Sequence, residues 1–238
     1  MQRKAAQLTV VGALFLVFTL STAWPTQAQE NKSPYPSMAP LDQYLMTDRN
    51  AEVALARTAA PKSLSDDATV VVLDRQHGYV TAVKGKNGFV CIVERAWTSP
   101  FDDPEFWNPK NRSPICYNPA AARSVLLYTY KRTESVLAGL TKPQMLDRIK
   151  AAVAGKELPT PEPGAMSYMM SKEQYLNDAV VHWYPHLMFH IPKVDGASWG
   201  ANLDGSPVVF DPREIAEPET IFFVPVGKWS DGTPVPPM

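Results

Sequence analysis

Two cysteines, Cys91 and Cys116, set the strongest constraint on how this chain of 238 residues can fold. A bond between them would close a loop of about 25 residues, which stabilises a fold by roughly 3 kcal/mol in the chain-entropy account. An even number of cysteines usually pairs in an oxidising compartment. Redox-active pairs usually have only two residues between the thiols, and these do not. The sequence therefore predicts one structural disulfide, Cys91–Cys116, if the chain is exported.

The first 28 residues have the pattern of a signal peptide. Arg3 and Lys4 precede an apolar run at residues 8–20, and Thr26-Gln27-Ala28 fits a cleavage site with small residues at its ends. The apolar run is shorter than the about 20 residues that a membrane-spanning helix needs. We therefore expect an exported protein, periplasmic or extracellular after cleavage near Ala28. An uncleaved leader that acts as an anchor is the less favoured alternative.

The charge balance argues against a nucleic-acid-binding protein. The formal net charge is −1, and cleavage of the leader would remove two basic residues and no acidic one. A nucleic-acid binder would instead show a basic excess on one face. No second long apolar segment follows the leader, so we expect a soluble mature chain without a membrane span. The partner is otherwise open, and an envelope protein and a carbohydrate are both hypotheses.

Beyond the leader the sequence predicts one globular domain of the α+β class at residues 41–230. A polar, proline-rich flexible spacer at 29–40 precedes it, and a tail at 231–238 follows it. Segments rich in β-branched and aromatic residues flank a central pair of helices, which begin near Asn118-Pro119 and at the capping box Thr141–Gln144. This order favours a largely antiparallel sheet. The expected strands lie around residues 68–75, 166–170, 187–191, 208–210 and 221–226.

The dipeptide Asn87-Gly88 stands between two β-rich runs, which is the strongest short-range signal for a two-residue hairpin. Both central residues of such a turn need positive φ, which Asn and Gly tolerate. The sequence therefore predicts that Lys84 faces Cys91 and that Ala82 faces Val93 on paired antiparallel strands.

A serine-hydrolase pattern, G-x-S-x-G, occurs at residues 196–200 (GASWG). The nucleophile elbow of these enzymes needs a strand before the serine and a helix after it. The sequence that follows, ANLDGSP, does not start a helix, and no histidine follows His190, whereas the hydrolase order places the histidine after the serine. We therefore interpret GASWG as a glycine-containing turn and not as a catalytic motif.

Three of the four histidines lie in one segment, HWYPHLMFH, at residues 182–190. Pro185 would break a helix in the middle of this segment. The apolar residues that follow alternate as in a strand, which places His186, Met188 and His190 on the opposite face of that strand. A structural row of partly buried, hydrogen-bonded side chains is the favoured interpretation.

A metal site in this segment is the alternative, with His182, His186, Met188 and His190 as candidate ligands. Residues four apart on a strand are about 13 Å from each other. Two imidazoles that bind one ion at about 2 Å each therefore need a bend at Pro185 or ligands from a neighbouring strand. The mixture of imidazole and thioether would suit copper, and zinc is the other candidate. We predict no other cofactor.

Aromatic residues in and beside the proline-rich segment 98–119 form a second candidate site. Carboxylates lie among them, as in surfaces that bind sugars by stacking and hydrogen bonding. The favoured alternative is that the rings fold inward and anchor the loop. Asp102 and Asp103 could also supply a glycosidase carboxylate, but the sequence does not locate the second one. The candidate ligand surface consists of Trp97, Phe101, Phe106 and Trp107.

Because no catalytic motif is present, the sequence favours a non-catalytic protein that binds a ligand or partner in the cell envelope. The alternative is an exported enzyme or metal-binding protein that uses His182, His186 or His190. The two hypotheses differ in one spatial expectation. An enzyme needs one of these histidines to meet carboxylates in a cleft, whereas a binding or structural protein leaves them dispersed or packed in the core.

Overall fold

The strand-forming segments assemble into one mixed sheet in the computed structural model, which describes residues 33–213 and 215–236. The predicted signal peptide at 1–28 and the cleavage site near Ala28 lie outside the described residues. Within the described ranges the sheet has eight strands, in agreement with the α+β class expected from the sequence. The strands are β1 (Thr69–Asp74), β2 (Gly78–Val83), β3 (Val90–Glu94), β4 (Ser113–Tyr117), β5 (Met166–Met169), β6 (His186–Pro192), β7 (Val209–Phe210) and β8 (Glu219–Pro225).

The sheet is largely antiparallel, with the spatial order β2-β1-β3-β4-β5-β6-β8-β7. Only the contact between β1 and β3 is parallel among the strand pairs described. This contact is short and joins Thr69 to Val90 and Val70 to Cys91. Strand β1, which lies between β2 and β3, is buried along most of its length, as its apolar sequence TVVVLD predicts.

The predicted hairpin at Asn87-Gly88 is wrong, because β2 and β3 pair with opposite edges of β1. The hairpin instead joins β1 to β2, where the Asp74 carboxylate accepts hydrogen bonds from the backbone of Gln76 and His77. The segment that follows β2 crosses β1 so closely that a Cβ atom on Gly85 would lie 2.2 Å from the backbone nitrogen of Thr69. Side-chain capping and this close approach outweigh the local turn preference.

Five α-helices accompany the sheet in the described part of the chain. The first helix of the predicted central pair, expected from Asn118-Pro119, is divided into α3 (Pro119–Arg123) and α4 (Leu126–Leu137). The second is confirmed as α5 (Lys142–Ala154), which begins with the expected capping box of Thr141 and Gln144. Asn118 caps the short helix before α4, where its side chain accepts a hydrogen bond from the backbone of Ala121. The helices are α1 (Arg49–Arg57), α2 (Lys62–Ser65), α3 (Pro119–Arg123), α4 (Leu126–Leu137) and α5 (Lys142–Ala154).

The two faces of the sheet are covered by different helices. Helix α1 covers the face that carries Cys91 and Cys116, which form the predicted disulfide between β3 and β4. Helices α3, α4 and α5 cover the other face, where Ile115 and Tyr117 of β4 belong to the main apolar cluster. Alternation along β4 therefore assigns the disulfide and the residues under α4 to opposite sides of the sheet.

The ends of the described chain contact the rest of the domain. Tyr35 and Met38, within the predicted spacer, pack against the cluster that contains Trp97 and Trp107. In the predicted tail, the backbone of Thr233 accepts a hydrogen bond from Trp229. The packed structure thus extends on both sides of the predicted limits 41 and 230. In residues 33–213 and 215–236, no helix combines the length and apolar character needed to cross a membrane.

Candidate functional site

A cavity of about 630 Å³ lies between the sheet and α4, on the face opposite the disulfide. Strands β4, β5, β6 and β8 form its floor, and the register places Tyr117, Ser167, Met188 and Phe223 side by side across these strands. Helix α4 and the segments at 98–111 and 211–217 form the other walls. Because side chains alternate along a strand, the residues of β4 and β6 that line this space occupy every second position.

The histidine segment contributes a row of three side chains to the cavity. His186, Met188 and His190 all lie on the inner face of β6 and are buried, as the alternation in the sequence predicts. His182 is exposed, and its ring lies 5.8 Å from that of Trp229. The structure therefore brings together three of the four predicted metal ligands and leaves His182 outside the cavity wall.

His190 joins a serine and a glutamate from the two neighbouring strands. Its Nδ1 atom lies 2.8 Å from Oε2 of Glu219, and its Nε2 atom lies 2.9 Å from Oγ of Ser167. Both ring nitrogens of His190 are satisfied when Nδ1–H donates to Oε2 of Glu219 and the Ser167 hydroxyl donates to Nε2. Glu219 and His190 line the cavity, whereas Ser167 is fully buried behind them.

His186 occupies an aromatic environment at the other end of the row. Its ring centroid lies 4.7 Å from that of Trp183 and 5.7 Å from that of Phe223. Nδ1 is 2.7 Å from the backbone oxygen of Tyr184. Burial lowers the pKa of His186 to about 4, although the hydrogen bond to Tyr184 opposes this effect. The imidazole is therefore neutral near pH 7 and adds no positive charge to the cavity.

Glu94, at the end of β3, is a second buried carboxylate in the cavity wall. Its Oε1 atom accepts hydrogen bonds from the hydroxyl groups of Tyr117 at 2.6 Å and Thr129 at 2.7 Å. Thr98 donates a longer bond of 3.3 Å to Oε2. Burial, followed by the charge of Glu94, raises the pKa of Tyr117 well above its ordinary value, so this phenol remains a donor. Neutral hydroxyl groups therefore hold the carboxylate.

Arg132 of α4 connects the helix to the segment that precedes β8. Its Nε and Nη2 atoms bind the two carboxylate oxygens of Glu217 at 2.7 and 3.0 Å, and both side chains are buried. Its Nη1 atom donates to the backbone oxygens of Trp97 and Ser99. The guanidinium also lies over the ring of Phe101. Arg132 thus fastens three segments around the cavity.

The cavity wall carries more carboxylates than permanent cations. Among the described residues, six acidic side chains and three Lys or Arg side chains line it. Arg213 bonds Asp211 and lies near Asp102 and Asp103, while Lys193 donates to the backbone of Ile215. The acidic residues are Glu94, Asp103, Glu105, Asp211, Glu217 and Glu219.

Most rings of the candidate ligand surface fold inward, which is the alternative that the sequence favours. Trp97, Phe106 and Trp107 are buried in one apolar cluster, and Phe101 is half-buried beside them. Backbone turns and the packing of these rings together anchor the proline-rich loop. Three of the four rings therefore have no exposed face for a ligand.

The GASWG segment does not form a nucleophile elbow. Residues Gly196–Trp199 form a short 3-10 helix that ends at Gly200, which has φ +63. The Ser198 hydroxyl donates to the backbone oxygen of Asp195. The interpretation of this motif as a turn agrees with this geometry.

The metal hypothesis stays a prediction. In the ranges that the structure describes, no group of three or more His, Cys, Asp or Glu side chains is arranged to hold an ion. Both ring nitrogens of His190 have protein partners, and Nδ1 of His186 contacts a backbone oxygen. His186 and His190 together have four ring nitrogen atoms. Copper or zinc would therefore compete with existing hydrogen bonds at three of them.

Sequence reasoning missed Glu94, Arg132, Ser167 and Glu219 as site residues. Two of them carry a local signal. Glu94 ends the apolar strand VCIVE, and Glu219 lies on the same face of β8 as Ile221 and Phe223. A carboxylate at a core-facing position of a strand needs a partner, which marks it as a candidate. Arg132 and Ser167 carry no such signal, because polar residues on helices and strands are common.

No protein-family model, curated protein or solved structure matches the chain. The interpretation of the cavity therefore depends on its own geometry.

Proposed function

We propose that this protein is exported and binds a small organic molecule, without catalysis, in the cavity under α4. The observation that carries this proposal is the cavity itself, whose volume of about 630 Å³ lies within the range of about 300–1,000 Å³ found for ligand sites. Its floor is mostly apolar and includes Ile115, Met188 and Ile221. A few polar groups converge on it, as in sites that orient a small ligand. Export is supported by the pattern of residues 1–28.

The polar groups of the cavity are held in place before any ligand arrives. Hydroxyl groups hold Glu94, and the Ser167–His190 pair holds one oxygen of Glu219. Arg132 and Glu217 fix the surrounding segments. A preorganised wall lowers the entropy that binding costs, which favours affinity for a small molecule.

A matched pair of substitutions tests the binding site. Ile221 faces the cavity from β8, whereas Ile191 is on the outer face of β6, and both are half-buried. In a thermal-shift screen of mixed amines, alcohols, carboxylates and sugars, a ligand at 100 times its Kd should raise the Tm by about 5 °C or more. Ile221→Trp should abolish the shift and Ile191→Trp should retain it. Binding that Ile221→Trp leaves intact would contradict this site.

The contact between His190 and Glu219 favours a second candidate function, an exported hydrolase. Ser167 Oγ would attack an ester carbonyl while His190 Nε2 accepts the hydroxyl proton and Glu219 holds the imidazole. That proton would pass to the departing alcohol, and water would then hydrolyse the acyl-serine. Complete burial of Ser167 behind the cavity wall is the reason that binding ranks first.

A fluorophosphonate probe separates the two functions. Mass spectrometry of the treated protein should find no adduct on Ser167 if the protein is a non-catalytic binder. An adduct that is lost in Ser167→Ala and retained in Ser198→Ala, a change at an exposed serine, would establish the hydrolase and overturn the proposed function.

A further inference from the structure

Glu219 has one carboxylate oxygen that the protein does not use. The residue is 6% exposed, and Oε2 contacts His190. Oε1 has no hydrogen-bond partner in the part of the chain that the structure describes, and the side chain lines the cavity. Because a buried carboxylate needs compensation for lost hydration, this oxygen is a binding position for a donor inside the cavity.

Glu94 presents a second carboxylate without a cationic partner. Three neutral hydroxyl groups hold it, and no Lys or Arg forms an ion pair with it in the described residues. The side chain is 9% exposed and faces the same cavity as Glu219. Two acidic groups thus lie in the wall of one cavity.

The permanent cations of the cavity wall have other partners. Both carboxylate oxygens of Glu217 and two backbone oxygens hold Arg132. Arg213 is bound to Asp211 and lies near Asp102 and Asp103, and Lys193 donates to the backbone oxygen of Ile215. His186 is neutral near pH 7 because burial lowers its pKa to about 4. These contacts leave the charges of Glu94 and Glu219 for a molecule that enters the cavity.

The remaining wall suits the body of an organic molecule. Trp183 and Phe223 meet edge to face with ring centroids 5.8 Å apart, and both line the cavity. Aromatic faces attract organic cations, and this attraction increases when water is excluded. Carboxylates beside aromatic and aliphatic side chains therefore match a molecule with a charged amine and an apolar part.

We propose that the ligand of this cavity is a small organic cation, a protonated amine attached to an apolar or aromatic body. The amine donates to Oε1 of Glu219, and the apolar body lies toward Trp183, Phe223 and Met188. This inference rests on the proposed binding function and adds the chemical class of the ligand to it.

Calorimetry with molecules matched in size tests the class. The probes are 2-phenylethylamine, 2-phenylethanol and 3-phenylpropanoate, which carry positive, zero and negative charge near pH 7. A charged hydrogen bond should make the amine bind about tenfold or more tightly than the alcohol. The corresponding hexyl series, hexylamine, hexanol and hexanoate, repeats the comparison without the aromatic ring.

Charge-removing variants locate the effect at Glu219. Glu219→Gln keeps the shape and removes the charge, so amine affinity should fall about tenfold or more while alcohol affinity changes little. Glu173→Gln, at an exposed glutamate outside the cavity wall, is the matched control and should bind like wild type. Should Glu219→Gln fail to fold, Glu94→Gln provides the same comparison at the second carboxylate.

The outcomes separate this inference from the proposed function. Equal affinity for amine and alcohol, or an amine affinity that Glu219→Gln does not lower, overturns the inference. A second outcome is that neutral or anionic molecules bind, that Ile221→Trp blocks their binding, and that amines do not bind. In that case the proposed ligand class is wrong, but the proposed binding site stands. If no molecule of the mixed screen binds in a way that Ile221→Trp abolishes, both fail.

Discussion

The buried imidazole of His186 should make the stability of the fold depend on pH. Burial lowers the pKa of His186 from 6.5 to about 4, while the hydrogen bond to Tyr184 acts in the opposite direction. The unfolded chain therefore binds the proton at a higher pH than the folded protein. The stability that depends on neutral His186 is fully present above about pH 6.5 and is lost as the pH falls from 6.5 to about 4. We expect this residue alone to lower the unfolding free energy by about 2 kcal/mol between pH 7 and pH 4.5.

Urea unfolding at these two pH values measures the effect, with His186→Phe as the variant that cannot titrate. The phenyl ring fits the contacts with Trp183 and Phe223. The pH-dependent loss should be smaller in His186→Phe than in wild type by about 2 kcal/mol, whatever the absolute stability of the variant. His182→Phe, at an exposed position, is the control and should keep the wild-type dependence. Equal losses in wild type and His186→Phe would show that His186 is not buried as described.

At the scale of elements, the disulfide should affect stability but not the cavity. Cys91 and Cys116 are direct partners in the register of β3 and β4, on the face that α1 covers. The cavity lies on the other face. We expect Cys91→Ala/Cys116→Ala to lose about 3 kcal/mol of unfolding free energy in urea. Ligand affinity should stay at the wild-type value at temperatures where the variant is folded, and a loss of affinity would contradict this separation of the two faces.

The attachment of α1 to the sheet depends on a buried ion pair. Arg95 donates to Glu52 at 2.8 Å, and both side chains are almost fully buried. Glu52 also accepts a hydrogen bond from the backbone nitrogen of Leu73 on β1. Glu52→Gln removes one charge and leaves Arg95 buried without its counter-ion, so unfolding free energy should fall by about 3 kcal/mol.

The exposed pair between Lys62 of α2 and Asp66, the residue after the last one of α2, provides the matched control for this measurement. Solvent screens such a pair, so Asp66→Asn should cost less than about 1 kcal/mol in the same urea experiment. A similar cost for Glu52→Gln and Asp66→Asn would mean that the buried pair contributes no more than a surface one.

Elements with local signals could be predicted from the sequence, and long-range pairings could not. The capping box at Thr141 and the alternation in β6 depend on residues within a few positions, and both predictions are confirmed. The Asn87-Gly88 hairpin failed because strand partners are chosen by contacts across the sheet. In the structure Asp74 caps the turn between β1 and β2, and the chain at Gly85 lies close to Thr69 of β1 before β3 begins. Neither contact follows from the turn dipeptide itself.

At the scale of the whole molecule, the site too could be predicted only where it depends on local patterns and not on contacts between distant parts of the chain. The shared face of His186, Met188 and His190 follows from the period of a strand. The contact of His190 with a carboxylate depends on which strand lies beside β6, and Glu219 is 29 positions away from His190. From the sequence we could expect that a catalytic histidine must meet a carboxylate in a cleft. The sequence could not predict which carboxylate lies beside which histidine.

One contact spans a large part of the chain and holds the cavity together. Arg132 and Glu217 are 85 positions apart and form a buried, two-point ion pair between α4 and the segment before β8. Arg132→Met leaves Glu217 buried without its cation and should cost about 3–5 kcal/mol, and Glu217→Leu should cost a similar amount because it leaves Arg132 unpaired.

The double variant Arg132→Met/Glu217→Leu decides whether the pair itself or the unpaired charges control stability. Because both charges are removed together, it should be more stable in urea than either single variant. Its loss should therefore be well below the sum of the two single losses. Strictly additive losses would mean that the two side chains act independently. The expected non-additivity would instead show that α4 and the segment before β8 are coupled. The double variant should then release a bound ligand faster than wild type, because that segment has lost the ion pair that joins it to α4 over the cavity.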